Sequence, residues 1–198
     1  MCNKSEFNSS ILMKEKFTER IILIKALQGN KKAFGYIFDK YNKKIYRFIF
    51  FKVSKHEAAE DLTSQVFLKA WEYIINKNKI DNLQAFLYQV ARNTVIDYYR
   101  SKEREELPLI YEDKDTVSQE KIVFLDRELD GKIDKEKLLK IINNLRGQYR
   151  EVITLRYVEE YSINEISKIL NKSKVNIRVM IHRALKDIKE MLTDQKNG

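Results

Sequence analysis

Lys174, Arg178 and His182 recur at every fourth position of one stretch, with Lys172, Asn176 and Arg183 beside them. In a helix that spacing sets the first three along one line. Long cations at the front of a helix reach guanine edges or phosphates, and an asparagine pairs with adenine. The neighbouring sequence supplies a frame. Ser162 and Glu165 stand in capping-box register ahead of Ile166, Ile169 and Leu170. Asn171 to Ser173 read as a short turn, and Ser173 as the cap of a second helix with Ile177, Ile181, Ala184, Leu185, Ile188 and Leu192 inward. A short capped helix, a tight turn and a longer helix make a helix-turn-helix, whose second helix enters the major groove. The bland competitor is a helical hairpin with a solvated basic face. His182 has no second histidine or acid cluster near it, so phosphate contact or packing is expected of it rather than catalysis.

Two further constellations precede this one. Gln89, Arg92, Asn93, Ile96, Asp97 and Arg100 fall opposite a stripe of Leu87, Val90, Ala91, Thr94, Val95 and Tyr98, on a helix that Asp81 is expected to cap with Gln84 reaching back. Lys102 and Arg104 extend its basic end, and Tyr98 and Tyr99 lie alongside. Aromatics interleaved with cations stack unpaired bases while holding phosphates. Aromatics at helical spacing are more often core, and that is expected of most between Phe34 and Tyr99. Earlier still, Asp61, Gln65 and Leu68 share a face of a helix expected over Lys55 to Ile75, with Leu62, Val66, Ala70 and Tyr73 as its apolar stripe. A polar face with one apolar member suits docking on a basic partner helix, although Glu60 and Asp61 near a helix start also favour the macrodipole.

The elements that must position these residues all read as helix. Phe34, Ile37, Phe38, Tyr41, Ile45 and Phe48 form one apolar face of a first long helix, and Tyr46, Phe50 and Val53 a second. Helix is expected around Lys137 to Leu145, broken at Gly147 and restarted from Tyr149 to Val158. No stretch alternates with the period of a half-buried strand. Five glycines and one proline argue against a turn-rich sandwich or barrel.

The chain has 198 residues and a net charge of +9. The charge is unevenly spread. Residues 26–103 carry fourteen cations against eight acids, 104–135 six against ten, and 136–198 thirteen against eight. Two basic blocks flanking an acidic tether suit a polyanionic partner. A single cysteine, Cys2, excludes an intrachain disulfide and a Cys-based zinc site, and two histidines leave no multi-histidine metal site. No metal or cofactor is expected. Ile21 to Ile24, the longest apolar run near the N-terminus, is too short for a signal or a membrane span. A cytoplasmic protein without membrane insertion is expected.

In this order, the three segments resemble the sigma-70 family of bacterial RNA polymerase sigma factors, in the short two-domain form of the extracytoplasmic-function (ECF) group. The resemblance is carried by Ala33-Phe34 with Tyr41, by Ala59-Glu60-Asp61-Leu62-Thr63 with Phe67 and Ala70-Trp71, and by Ala91-Arg92-Asn93 with Asp97 and Arg100. In the second block it is carried by Tyr149-Arg150-Glu151-Val152-Ile153, Leu155-Arg156-Tyr157, Glu165-Ile166 and Ile181-His182-Arg183-Ala184-Leu185. It implies an all-α chain of two small helical domains joined by a flexible acidic linker. The implied divisions are an N-terminal extension (1–25), region 2 (26–104), the linker (105–135), region 4 (136–192) and a tail (193–198).

The resemblance also implies the partners and sites. Asp61, Gln65, Phe67 and Leu68 would bind core RNA polymerase. Arg92, Asn93, Asp97, Arg100, Lys102 and Arg104, with the loop Asn76 to Asn82, would take and melt the −10 element of promoter DNA. Lys172, Ser173, Lys174, Asn176, Arg178, His182 and Arg183 would read the −35 element. An anti-sigma factor is a common partner in the family; no small-molecule substrate and no enzymatic activity are implied. The chain departs from the family pattern at Ser64-Gln65, Phe86, Leu145-Arg146, Val175-Asn176-Ile177 and Met180. Two other classes fit the residues less well: a stand-alone helix-turn-helix regulator whose first domain senses or dimerises, and a recombinase-like DNA-processing enzyme, which would need clustered catalytic groups and strands.

Overall fold

Asn30 begins the first long helix: its side-chain oxygen accepts the Ala33 N–H at 3.1 Å, one of the donors that a helix start leaves unpaired. From there α2 runs Lys31–Val53 and ends where Ser54 takes a left-handed conformation. A helix α1 (17–27) precedes it and α3 (His56–Ile75) and α4 (Leu83–Arg104) follow. The computed structural model describes residues 17–104 and 141–194. The expected linker, the N-terminal residues 1–16 and the last residues of the tail lie outside the described residues, as do most of the helix expected from Lys137 and the side chains of Lys102 and Arg104. Among the described residues there is no strand.

The two expected faces of α2 are covered in part: Phe38 is exposed, and Phe34, Tyr46 and Phe50 are half-buried. Ile37, Tyr41, Ile45 and Phe48 are buried along one face, and Ile49, Phe51 and Val53 fill the next. On α3 the buried stripe is Leu62, Val66, Ala70 and Ile74, so Ile74 rather than Tyr73 continues it. Tyr73 stays partly exposed and packs on Phe86 with ring centres 4.7 Å apart. The start of α4 is one residue later than expected: Asn82, not Asp81, caps it through the Ala85 N–H at 2.8 Å. Asp81 instead pairs with Lys79 on the surface.

The second half opens with helical residues 141–144, then breaks at Leu145-Arg146. Gly147 therefore begins the next helix, α5 (Gly147–Ile153), rather than interrupting one. At a helix's first position a free N–H is normal, so glycine's lack of helix preference costs little there. The chain continues into a widened π-type turn over Thr154–Val158, in which the Glu159 N–H reaches back five residues to the Thr154 carbonyl. Helices α6 (Ile163–Leu170) and α7 (Lys174–Asp194) complete the fold. Ile177, Met180, Ala184 and Ile188 are the buried residues of α7, and Ile166, Ile169 and Leu170 those of α6.

The two halves pack on each other: α2 meets α5 and the π-type turn, and α4 meets α6. Arg47 of α2 grips Glu159 with two parallel hydrogen bonds, 2.6 and 2.8 Å. The Glu159 side chain is wholly shielded from solvent and that of Arg47 is 15% exposed. Burial works against the guanidinium's charge, but the hydrogen bond and charge of Glu159 more than offset it and hold its pKa above the ordinary value. Arg150 donates across the same junction to the Phe51 carbonyl at 3.2 Å. Tyr88 of α4 meets Tyr161 edge to face, with ring centres 5.7 Å apart and a hydroxyl–hydroxyl hydrogen bond of 3.3 Å. Burial pushes both phenols up from their usual range.

Candidate functional site

Three surfaces carry the residues singled out in the sequence. The first is the outer edge of α3. Asp61, Gln65 and Leu68 are exposed and follow one another at helical spacing. Leu68 is 58% exposed, although it is aliphatic. It borders an open groove of about 340 Å³ with Lys31, Phe34, Phe67 and Trp71. Phe67 is not presented as expected: it is buried, 4.8 Å from Phe38, and forms part of the groove's lining. Phe34 leans on Trp71 at 4.9 Å and on Phe67 at 6.5 Å. Lys31 and the groove itself stand outside the constellations legible in the sequence. Its signal was present in the helical recurrence of Lys31, Phe34 and Phe38 against Phe67 and Trp71.

The second surface is the outer side of α4. Gln89, Asn93, Ile96, Asp97 and Arg100 are exposed together. Asp97 is 3.8 Å from Lys69, which softens its negative charge on this face. The loop ahead of α4 is shaped by Lys77 in a left-handed conformation and by Asn78, which donates to the Tyr73 carbonyl at 3.0 Å. Arg92 departs from its expected open position. Its Nε lies 2.8 Å from Glu151 Oε1, and Lys52 Nζ approaches the same oxygen at 3.5 Å. Glu151 is 6% exposed, and Oε1 receives no aligned hydrogen bond, so charge holds this cluster together. Burial lowers the Lys52 pKa, opposed by the Glu151 charge. A carboxylate of the second half thus occupies one of the cations expected to hold DNA. The sequence signal for Glu151 and Glu159 is acids set beside apolar residues between Tyr149 and Tyr161.

The third surface is the helix-turn-helix. The capping box of α6 is present: the Glu165 N–H donates to Ser162 Oγ at 3.3 Å, and Glu165 Oε2 accepts the Ser162 N–H at 3.0 Å. Asn171 ends α6 in a left-handed conformation. The Lys172 backbone is then pinned from both sides by Ser167, whose carbonyl accepts its N–H at 3.0 Å and whose hydroxyl donates to its carbonyl at 2.6 Å. Ser173 Oγ accepts the Asn176 N–H at 3.2 Å and starts α7. Lys174, Asn176, Arg178, His182 and Arg183 are all exposed, while Lys172 is half-buried. Met180 is buried and faces the core. No acid occupies the first turn of α7. A helix start disfavours cations by a few tenths to about 1 kcal/mol, so Lys172 and Lys174 sit where an anion would relieve them.

No described helix is long and apolar enough to cross a membrane. The sequence matches the Sigma-70 region 2 family over residues 37–105 and the Sigma-70 region 4 family over residues 135–188. It is 29% identical over 171 residues to the ECF RNA polymerase sigma factor BldN of Streptomyces coelicolor, covering 86% of this chain and 64% of that protein. It is 28% identical over 177 residues to the ECF RNA polymerase sigma factor SigW of Bacillus subtilis, covering 84% of this chain and 92% of that one. Among solved structures, CnrH in complex with the cytosolic domain of CnrY is similar with a TM-score of 0.65 at 18% identity, covering 89% of this chain and 97% of that one. The sigma factor RpoE of Bartonella quintana in complex with the anti-sigma factor NepR gives 0.64 at 23% identity, covering 82% and 98%. At these identities the two structures speak for the fold.

Proposed function

This chain belongs to the sigma-70 family of RNA polymerase sigma factors, in its ECF group, and on that premise we propose that it binds core RNA polymerase and directs it to promoters through −10 and −35 recognition. The observation that carries this is the pairing of both family regions, in order, with a helix-turn-helix whose first turn is cationic and free of acids.

The proposed division of labour follows the three surfaces. Asp61, Gln65 and Leu68 form the polymerase contact, with Phe67 shaping the apolar groove beside them. The outer side of α4, through Asn93, Asp97, Arg100, Lys102 and Arg104, takes the −10 element; Arg92 joins it once released from Glu151. Lys172 to Arg183 take the −35 element. Residues 26–104 and 136–192 act as the two working domains and 105–135 as the tether. An anti-sigma factor is the proposed regulatory partner. The chain works in the cytoplasm, where its polymerase is, and supplies recognition rather than catalysis.

Transcription of genomic DNA by purified core polymerase, with and without the chain, tests the assignment. New transcript starts that share upstream elements are expected only when the chain is present. An identical start-site map with and without it refutes the assignment.

A further inference from the structure

The outward face of α7 holds a feature that a purely cationic reader would not need. At about 100° of turn per residue, with Val175 set at zero, buried Met180, Ala184, Ile177 and Ile188 fall at roughly 140°, 180°, 200° and 220°. The core therefore lies near 185°, on average, by the same geometry. The exposed side chains nearest the opposite direction are Val175, Lys186, His182 and Val179, within roughly 5°, 15°, 25° and 35° of it; over the first two turns these are the two valines, with Arg178 about 60° to one side and, further along, Arg183 about 80° to the other. Val175 is 67% exposed and Val179 41%. At the N-terminal end of α7 the centre of this face is therefore two branched apolar side chains one turn apart, and His182 and Lys186 continue it toward the C-terminus.

Solvent alone gives no reason for them there. Valine is a poorer helix former than alanine by some tenths of a kcal/mol, and each exposes apolar surface to water. From Asn171 to Lys186 the chain carries five cations and no acid. An occupant of this face must therefore be polyanionic and also offer small apolar groups against its N-terminal two turns. In the major groove of duplex DNA, the apolar group offered by a base pair is the 5-methyl of thymine. The two valines are about 6 Å apart along the helix axis, comparable to one or two base steps of about 3.4 Å each.

We propose that Val175 and Val179 are specificity-determining residues that receive thymine 5-methyl groups, one or two base steps apart, in the −35 element, while Arg178 and Arg183 hold flanking base edges or phosphates. This rests on the proposed −35 role of α7 and adds a base preference to it.

The test uses the full chain with core polymerase. Bound duplexes are first selected from a library randomised at the −35 element. Each thymine of the selected element is then replaced in turn by deoxyuridine, which deletes the methyl and leaves the base pair. One or two replacements should weaken wild-type binding roughly fourfold, as expected for one buried methyl. The same replacements should be neutral for Val175→Ala/Val179→Ala, whose helix content should be unchanged because alanine is the better helix former. Deoxyuridine that is neutral everywhere in the wild type, or still costly in the double variant, overturns the inference while leaving −35 recognition standing. Failure to enrich any −35 sequence overturns that recognition and the inference with it. A wild type that sediments as a dimer, with a monomeric double variant and no uracil effect, assigns the valines to self-contact and also overturns the inference.

Discussion

A single carboxylate on α3 illustrates how a side chain's surroundings separate a contact residue from a supporting one. Asp61 is exposed and belongs to an outer edge that runs through Gln65 to Leu68. Removing it disturbs nothing inside the fold, so its substitution reads the partner contact alone. Placing a like charge opposite a cationic partner costs several kcal/mol, and each 1.4 kcal/mol is tenfold in affinity. Asp61→Lys should therefore lower affinity for core polymerase at least about tenfold while leaving thermal unfolding of the chain unchanged. Competition against the wild-type chain for limiting core polymerase measures this, and equal competition removes Asp61 from the interface. Phe67 would give a muddier result. It is buried against Phe38 and Phe34, so its truncation would lower stability and binding together.

At the scale of elements, the helix-turn-helix is built from local rules, and for that reason it is the part most visible in the bare sequence. The Ser162/Glu165 box closes within four residues. Ser162→Ala removes the cap of α6 and should cost about 1 kcal/mol, seen as a lower urea midpoint with unchanged slope; an unaltered midpoint would mean that packing of Ile166 and Ile169 alone holds the helix start. The same local logic misplaced two other boundaries. Asp81 and Asn82 are both competent caps, and the choice fell to Asn82, which leaves Leu83 buried as the first residue of α4. Gly147 reads as a breaker, yet it opens a helix, because the break itself is at Leu145-Arg146. Periodicity marked Ile37, Tyr41, Ile45, Phe48 and Val53 of α2 as inward, but it also marked Phe38, which is exposed, and missed Ile49 and Phe51, which are buried; nor does it show that Tyr88 meets Tyr161 of the second half. Arg47 and Glu159 are 112 residues apart, and no local pattern pairs them. The groove beside Leu68 has walls from two helices; the recurrence on each is visible in the sequence, but their pairing is not. Val175 is visible in the sequence as a departure from the family pattern and Val179 is not; that both share the outward side of α7 needed the burial of Met180 to be seen.

For the whole molecule, the junction between the halves depends on few groups. Glu159 has no solvent access in the closed arrangement, and Arg47 is its charged partner. Deleting one member of a buried ion pair typically costs about 3–5 kcal/mol, because the other charge is left uncompensated. The chain has an inexpensive escape: the halves can part and return Glu159 to water. Arg47→Ala should therefore increase the radius of gyration in solution scattering with helix content preserved. A scattering curve superposable on the wild type's would show that Tyr88, Tyr161 and Arg150 hold the junction without the pair.

Arg92 and Glu151 carry this further, into the ionic atmosphere of the complex. A cation that meets DNA from open solvent displaces a condensed counterion from the phosphates, and that release gives binding its steep salt dependence. Arg92 already has a counter-charge from its own chain, 2.8 Å away. Exchanging Glu151 for a phosphate frees the DNA's counterion but leaves the carboxylate with Lys52 alone, 3.5 Å away, so it makes up part of the lost charge with a cation from the buffer. The two ionic terms oppose each other, so the closed chain gains less from dilution than its cation count suggests. In Glu151→Gln no such uptake is required. That variant's plot of log affinity against log salt should be steeper than the wild type's by up to about one unit, and a gap that closes when both are measured on core polymerase would show that the halves part there. Parallel plots for the two free chains would mean that Glu151 keeps Arg92 while DNA is bound. In that case Glu151 acts as a permanent ligand of the arginine, and not as a stand-in for phosphate.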